Sequence, residues 1–142
     1  MARETPRAIV LDSSFLIAWH NTRDAHHAAA ARTMVKLASG AWGRALLLEY
    51  VFLEVVTVLL ARRGLDVARA TGAALLGATE VDFVPCSGLF ISALDTFTNQ
   101  RTGRLSFVDA AIATCARRDA GGFVATFDTD FQGLAGITVV PG

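Results

Sequence analysis

Residues 8–14 read Ala-Ile-Val-Leu-Asp-Ser-Ser, an apolar run that ends at an acidic residue followed by two serines. A short apolar run bounded by polar residues is typical of a buried strand. The carboxylate of Asp12 has an ordinary structural interpretation, because Asp directly after a strand can cap the next helix. It also has a functional one, because ligands of open α/β sheets bind outside the carboxyl ends of the strands. Taken alone, the stretch leaves both interpretations open.

Outward from this stretch, short β-like runs alternate with helical stretches, and neither an internal repeat nor a low-complexity linker interrupts them. The predicted strands are Ala8–Leu11, Ala45–Leu48, Val81–Val84, Phe123–Thr126 and Thr138–Val140. The predicted helices are Ala25–Leu37, Val51–Arg63, Asp66–Leu76, Ser87–Thr98 and Phe107–Arg118. This alternation indicates βαβ units, and therefore an α/β fold whose mostly parallel five-stranded sheet is covered by helices on both faces.

The bulk composition favours one folded domain over residues 1–142. Hydrophobic residues make up 53% of the chain and charged residues 18%, which excludes intrinsic disorder. Uninterrupted apolar stretches long enough for a membrane span are absent, and the charged N-terminus is unlike a signal peptide, so we expect a soluble, cytoplasmic protein. Cys86 and Cys115 lack zinc-ligand spacing, and we expect both to be buried free thiols.

The charge balance does not indicate a polyanion partner, because the formal net charge is +0. Such a partner would need a local basic patch. Twelve of the thirteen basic residues are Arg, with Lys36 the exception. Arg is the better fork for phosphate, although a biased genome composition explains the same count.

Glu54 is the only charged residue in the apolar run from Val51 to Leu60. Burying an unpaired carboxylate costs several kcal/mol or forces it to bind a proton. A partner such as Arg62 or Arg63, or a solvent-facing position, is the structural alternative. A bound metal ion explains the charge better on so apolar a helix.

Two further acidic positions follow the same logic. Ser106 and Asp109 resemble a capping box at the start of a helix, although Glu or Gln is the usual partner. Asp128 follows the fourth predicted strand, and either Asp128 or Asp130 can cap the turn there. Each of these positions is therefore ambiguous when taken alone.

Taken together, Asp12, Glu54, Asp109 and Asp128 fall at strand ends or on early helical turns, which meet at one edge of a parallel sheet. Carboxylates that converge in a cleft repel each other, and a hard divalent cation relieves that repulsion. Oxygen ligands without His or Cys suit Mg²⁺ or Mn²⁺. The chemistry such ions most often serve here is phosphodiester cleavage.

Four motifs resemble PIN-domain ribonucleases, specifically the VapC-type toxins of toxin–antitoxin pairs. They are IVLDSSFLIA at residues 9–18, EYVFLEVVTVLLARRG at 49–64, LSFVDAAIATCARR at 105–118 and FVATFDTDF at 123–131. Their order and spacing match over nearly the whole chain. The resemblance implies a three-layer α/β/α fold, Mg²⁺- or Mn²⁺-dependent cleavage of RNA, a homodimer and a cognate antitoxin protein.

Residue by residue, the resemblance places Asp12, Glu54, Asp109 and Asp128 at the family's first to fourth acids. Ser13 or Ser14 stands where the family has a small hydroxyl residue. Asp130 shares the fourth role or only supports the turn, and it ranks below Asp128. Glu49, at a strand end, does not stand at an acid position.

A mechanistic hypothesis follows, in which Asp12, Asp109 and Asp128 hold the metal while Glu54 holds a second ion or orients the attacking water. Arg101 and Arg104, in the polar loop 99–104, either grip the RNA backbone or form a solvated surface. The three histidines, His20, His26 and His27, are interpreted as exposed residues near helix starts rather than as ligands.

Two rival functions stay open. A phosphotransferase with Asp12 as nucleophile would resemble haloacid-dehalogenase enzymes, but Ser14 stands where these need a second Asp, and Lys36 lies in an early helix. An inactive PIN-like scaffold that binds RNA or protein is the other rival. The intact acidic set argues against the scaffold.

Overall fold

A computed structural model describes residues 7–142 of the chain. The five strands are β1 (Ala8–Leu11), β2 (Arg44–Leu48), β3 (Val81–Val84), β4 (Phe123–Ala125) and β5 (Thr138–Val140). The six α-helices are α1 (Ser13–His20), α2 (His27–Ala38), α3 (Glu49–Arg63), α4 (Leu65–Gly77), α5 (Phe90–Thr98) and α6 (Phe107–Asp119). A 3₁₀ turn covers Thr129–Phe131.

The strands form one sheet in the order β3-β2-β1-β4-β5, and every neighbouring pair is parallel. The predicted α/β class with five strands is therefore confirmed, and the sheet is wholly rather than mostly parallel. All four residues of the central strand β1 are buried. A central strand covered on both faces explains why its sequence is continuously apolar instead of alternating.

The order of the strands reverses beside β1. The chain builds β2 and β3 on one side of β1, and then returns to place β4 and β5 on the other side. Leu11 of β1 pairs with Ala125 of β4, so the residues that follow these two strands leave the sheet side by side. This is the kind of switch point at which open α/β sheets bind ligands.

Several helix starts differ from the sequence-based expectation. Helix α2 begins at His27 rather than Ala25, because the side chains of Asn21 and Asp24 accept backbone hydrogen bonds and form turns before it. Helix α3 begins at Glu49, and α5 begins only at Phe90. These shifts of two or three residues leave the order of the predicted elements unchanged. The structure adds one helix that was not predicted, α1, which directly follows Asp12.

The helices pack against one another and against the sheet, where their buried residues form the core. Helix α1 packs against α2 and α3, α3 against α4, and α5 against α6, which also contacts β1 and β4. Cys86 and Cys115 are free and buried, as predicted. Among residues 7–142, the structure contains no helix long and apolar enough to span a membrane.

Candidate metal centre

A cleft of about 430 Å³ opens at the carboxyl ends of β1 and β4. The four predicted acids, Asp12, Glu54, Asp109 and Asp128, all line it, together with Asp24. These side chains come from four separate parts of the chain, and the crossovers of the parallel sheet bring them to the same edge. The structure therefore brings together every acid of the sequence-based set.

Asp12 is only 3% exposed, and its carboxylate does not cap the helix that follows it. The hydroxyls of Ser14 and Thr126 each donate a hydrogen bond to Asp12 Oδ2, over 2.7 Å in both cases. Burial nevertheless raises the pKa of Asp12 above its ordinary value, against the lowering effect of these hydrogen bonds. The helix-cap interpretation of this residue is wrong, because its side chain makes no cap hydrogen bond to α1 and is held by the hydroxyls of Ser14 and Thr126.

Asp109 lies both in a helix capping box and in the acidic cleft. Its backbone N–H donates to Ser106 Oγ and its Oδ2 accepts from the Ser106 N–H, both over 3.1 Å, which completes a capping box. Burial raises the pKa of its carboxyl to about 6, and repulsion from Asp12 and Asp128 adds to that shift. A residue in a helix cap is thus also part of an electrostatically crowded acidic cleft.

Asp130 ranked below Asp128 in the sequence analysis, but both carboxylates lie near that of Asp109. One carboxylate oxygen from each of the three residues lies within 4.8 Å of the others. Asp128 Oδ1 also accepts a hydrogen bond of 2.9 Å from the Asp130 N–H, so the turn-cap interpretation is correct as well. This hydrogen bond ties the Asp128 carboxylate to the backbone of Asp130.

Glu54 lies on α3 across the cleft and accepts a hydrogen bond from the buried hydroxyl of Ser13. It is half-buried, and its neighbours Leu53 and Leu60 are 58% and 48% exposed. The sequence argument therefore overstated the cost of placing a charge on this helix. None of the ion pairs within residues 7–142 involves Glu54, so neither Arg62 nor Arg63 neutralises it there.

Thr126 is the residue that the sequence analysis missed as part of the site. It is only 1% exposed, donates to Asp12, and accepts a hydrogen bond of 2.9 Å from the Asp128 N–H. One hydroxyl thus positions two of the acids at once. The threonine directly after β4 and two residues before Asp128 could have indicated this role, but its sequence context is that of an ordinary strand residue.

The donor set fits a hard divalent cation. Every candidate ligand is a carboxylate or hydroxyl oxygen, and histidine and cysteine are absent from the Asp109, Asp128 and Asp130 cluster. Repulsion between Asp109 and its acidic neighbours raises its pKa, and a bound cation would remove that repulsion. Asp109, Asp128 and Asp130 offer the closest oxygens, with Asp12 beside them.

Three other residues that the sequence analysis considered are Arg104, Glu49 and Lys36, and none of them lines the cleft. Arg104 donates to the carbonyls of Thr129 and Gln132 and pairs with Asp130 at 3.8 Å, so it braces the turn that carries Asp128. Glu49 accepts a hydrogen bond from the backbone of Cys86. Lys36 is exposed on α2 and does not line the cleft, so it cannot serve as the lysine that the phosphotransferase rival needs beside Asp12.

The histidines also differ from their common interpretation as exposed helix starts. His20 packs edge-on against Trp19 at the end of α1, with a ring centroid distance of 4.3 Å, and it is half-buried. His27 shares a hydrogen bond of 2.9 Å with the carbonyl of Ala18. His26 is exposed as expected, but it lines the acidic cleft.

Comparisons with known proteins agree with this geometry. The model of the PIN domain family matches residues 9–137. Among solved structures, the chain is similar to VapC20 from Mycobacterium tuberculosis, described as a sarcin-ricin loop cleaving toxin, with a TM-score of 0.76 and 28% sequence identity. That similarity covers 91% of this chain and 96% of VapC20. Among curated proteins, none matches the sequence.

Proposed function

The chain belongs to the PIN domain family and is a nuclease of the VapC toxin type, and from this premise we propose that its acidic cleft is the active site for hydrolysis of RNA phosphodiester bonds. The observation that carries the proposal is the convergence of Asp12, Glu54, Asp109 and Asp128 in one cleft at the switch point of the sheet. PIN nucleases use divalent metal ions, and the oxygen-only donor set supports Mg²⁺ or Mn²⁺ as the ion used here.

We assign the metal to Asp12, Asp109 and Asp128, with Asp130 as a further candidate because of its closeness to Asp109. A bound divalent ion would neutralise charge on the reacting phosphate and lower the pKa of the attacking water. Ser14 and Thr126 hold Asp12 in one orientation through two hydrogen bonds of 2.7 Å. Such fixed carboxylates need no reorganisation when the substrate arrives.

Glu54 has a different role in this proposal. It lies on α3, and Ser13, the residue after Asp12, donates a hydrogen bond to its Oε1. The other carboxylate oxygen is then available to accept a proton from water and to orient that water toward the phosphate. Buried Ser13 is thus a positioning residue for Glu54, as Ser14 is for Asp12.

The test is cleavage of RNA with Mg²⁺ or Mn²⁺ by the wild type, Asp12→Asn and Asp128→Asn. The substrate panel begins with an RNA hairpin of sarcin–ricin loop sequence, since the similar VapC20 is a toxin that cleaves this loop. The control is Asp66→Asn, an acid on α4 outside the cleft whose side chain is fully exposed. We expect the cleft variants to lose at least about 100-fold in rate while the control keeps wild-type activity. Equal cleavage by all four proteins would refute the assignment.

A VapC-type toxin implies a cognate antitoxin protein as well as an RNA substrate. We propose in addition that the chain forms a homodimer through α3 and α4. The two helices pack together and leave Leu53, Leu60, Leu65 and Leu76 about half exposed, which supports an apolar interface. Light scattering on Leu53→Asp, compared with the wild type, tests this, and an unchanged molar mass would contradict it.

We also treat residues 1–142 as one PIN domain. The PIN family model matches residues 9–137 as one continuous segment, which supports this proposal. Limited proteolysis tests it, and a stable fragment much shorter than the chain would count against it.

A further inference from the structure

Three aromatic rings form a column that runs from the core to the rim of the acidic cleft. Phe15, which is fully buried, stacks on Phe127 with a centroid distance of 5.9 Å and an angle of 20°. Phe127 stacks in turn on His26, with a centroid distance of 4.5 Å and an angle of only 7°. The inner ring is buried, the middle ring half-buried and the outer ring exposed. The column therefore ends at His26, an exposed residue that lines the cleft.

Hydrogen bonds fix the backbone at His26 and Phe127, the two residues of the column that line the cleft. The backbone N–H of His26 donates to Asp24 Oδ1 over 2.8 Å, and the next residue, His27, is tied to the Ala18 carbonyl. The backbone N–H of Phe127 donates to Ser14 Oγ over 3.0 Å, the same hydroxyl that holds Asp12. The stack is thus coupled to the site by a short series of contacts.

The column stands next to the reacting carboxylates. Phe127 lies between Thr126, which positions Asp12, and Asp128, and both Phe127 and His26 line the cleft. Because Asp128 follows Phe127 directly in the chain, a base that adjoins a phosphate bound at Asp128 can reach these rings. Single-stranded RNA is commonly bound by stacking its unpaired bases on aromatic side chains, histidine included.

The charge of the cleft gives this stacking a specific purpose. The cleft presents five carboxylates, those of Asp12, Asp24, Glu54, Asp109 and Asp128, and within residues 7–142 Arg62 is the only arginine or lysine that lines it. So acidic a surface repels the RNA backbone wherever a cation does not compensate it. Contacts to the neutral bases supply affinity without adding to that repulsion.

We propose that His26, supported by Phe127, is a stacking platform for a nucleobase adjoining the cleaved phosphodiester bond. This inference rests on the proposed ribonuclease function and names a substrate-binding residue within the same cleft. A purely structural role would be to cover Phe127, and any apolar side chain of similar size would serve that purpose. Stacking on a base requires a ring.

The experiment compares His26→Leu, which keeps apolar cover, with His26→Phe, which keeps an aromatic face. Steady-state cleavage of a single-stranded oligoribonucleotide that contains the mapped cleavage site is measured for both and for the wild type. We expect His26→Leu to raise KM by roughly 5- to 100-fold at nearly unchanged kcat, the range found for loss of one stacked base. His26→Phe should stay within about threefold of wild-type KM. Urea unfolding should give the same midpoint for all three proteins.

A second substrate separates stacking from other effects of the substitution. The same oligonucleotide is made with an abasic residue on one side, and then on the other side, of the cleaved bond. For one of these RNAs, we expect wild type and His26→Leu to have equal KM values, since the base that would stack is gone.

Three results would overturn the inference. They are an unchanged KM in His26→Leu, a loss in His26→Phe as large as that in His26→Leu, and a His26→Leu defect that persists on both abasic RNAs. The activity of the wild type distinguishes this failure from a failure of the proposed function. If the wild type cleaves RNA in a manner that depends on Asp12, only the base platform fails, whereas an inactive wild type removes both proposals.

Discussion

The hydroxyl of Thr126 donates a hydrogen bond of 2.7 Å to Asp12 Oδ2 and joins two residues that lie 114 positions apart in the sequence. The contact closes the gap between the ends of β1 and β4, where the order of the strands reverses. The same hydroxyl accepts from the Asp128 N–H. A single buried side chain thus sets the spacing between two candidate ligands.

Replacing Thr126 should therefore weaken the site without removing a ligand. In Thr126→Val the hydroxyl is lost at nearly constant volume, and Asp12 and the Asp128 N–H each lose a partner. We expect the free energy of unfolding to fall by about 1–3 kcal/mol and the Mn²⁺ affinity to fall by roughly 10- to 100-fold. Urea unfolding and Mn²⁺ titration measure the two effects. Thr126→Ser retains the hydroxyl and should recover most of both, while a Val variant with wild-type Mn²⁺ affinity would contradict this role.

The two roles of Asp109 can be separated by substituting each partner of the capping box. Asp109→Asn keeps an oxygen that can accept from the Ser106 N–H, but it removes the charge that crowds Asp12 and Asp128. We expect this variant to lose RNA cleavage and, without divalent ions, to melt at the wild-type temperature or above it.

The reciprocal variant is Ser106→Ala, which removes the hydroxyl that accepts from the Asp109 N–H. We expect it to lower stability by about 0.5–2 kcal/mol, the usual value of an N-cap, and to keep more cleavage activity than Asp109→Asn. Thermal melting and RNA cleavage report the two effects. If Asp109→Asn cleaves faster than Ser106→Ala, the carboxylate serves mainly as a cap.

His20 should make the protein sensitive to acid. Burial lowers its pKa below the usual 6.5, and its Nε2 has no hydrogen-bond partner among the residues of the described structure. Below pH 6.5 the unfolded chain binds a proton that the folded chain resists, so stability rises with pH through this window and is lost as the pH falls.

The check is the urea midpoint at pH 5 and pH 7 for wild type and His20→Phe. The substitution keeps a ring against Trp19 and removes the group that titrates. We expect a smaller pH dependence in the variant. An identical difference between the two pH values in both proteins would show that His20 does not contribute.

The two thiols should react slowly in the folded protein. Burial raises the pKa of Cys115 to about 11 and also raises the pKa of Cys86. At pH 8 only about one Cys115 in a thousand is then a thiolate, the reactive form. We expect little labelling by iodoacetamide in buffer and rapid labelling of both residues in urea. Mass spectrometry measures the labelling of each residue. Fast labelling of the folded protein at Cys115 would contradict the burial of this thiol.

The turn between α6 and β4 should tolerate one glycine substitution and not the next. A Cβ on Gly122 would lie 1.9 Å from the backbone oxygen of Gly136, and its φ is +87°. On Gly121, with φ +56°, the nearest atom is a side-chain carbon at 3.9 Å. We expect Gly121→Ala to cost about 1–2 kcal/mol and Gly122→Ala to cost distinctly more, because the backbone must move. Urea unfolding gives both values, and equal costs would argue against this close approach.

Much of the fold could be predicted from the sequence because the strands are short apolar runs and the helices end at recognisable residues. Ala8–Leu11, Val81–Val84 and Thr138–Val140 match the predicted bounds. The misplaced starts of α2 and α5 lie where side-chain and turn hydrogen bonds compete with the helix. Hydrophobic pattern does not report that competition.

The candidate acids could be named from the sequence because Asp12, Asp109 and Asp128 stand where an element begins or ends, and Glu54 is the only charge in an apolar helical run. Their physical surroundings do not follow. Asp12 could be a helix cap until Ser14 and Thr126 are seen to hold it, and Asp109 is a cap and a cleft acid at once. Glu54 lines the cleft as predicted, but a charge on α3 costs less than its apolar sequence suggested, because this helix is only partly buried.

The sequence by itself determined the order of the five strands along the chain, the α/β class, the buried thiols and the family resemblance, since all of these depend on local pattern and short spacing. Only the tertiary structure decided which residues surround Asp12, how close Asp130 lies to Asp109, and that His26 stacks on Phe127 at the cleft. These contacts join positions about 20 to more than 100 residues apart. Their geometry depends on the crossovers and register of the parallel sheet, which a one-dimensional pattern does not contain.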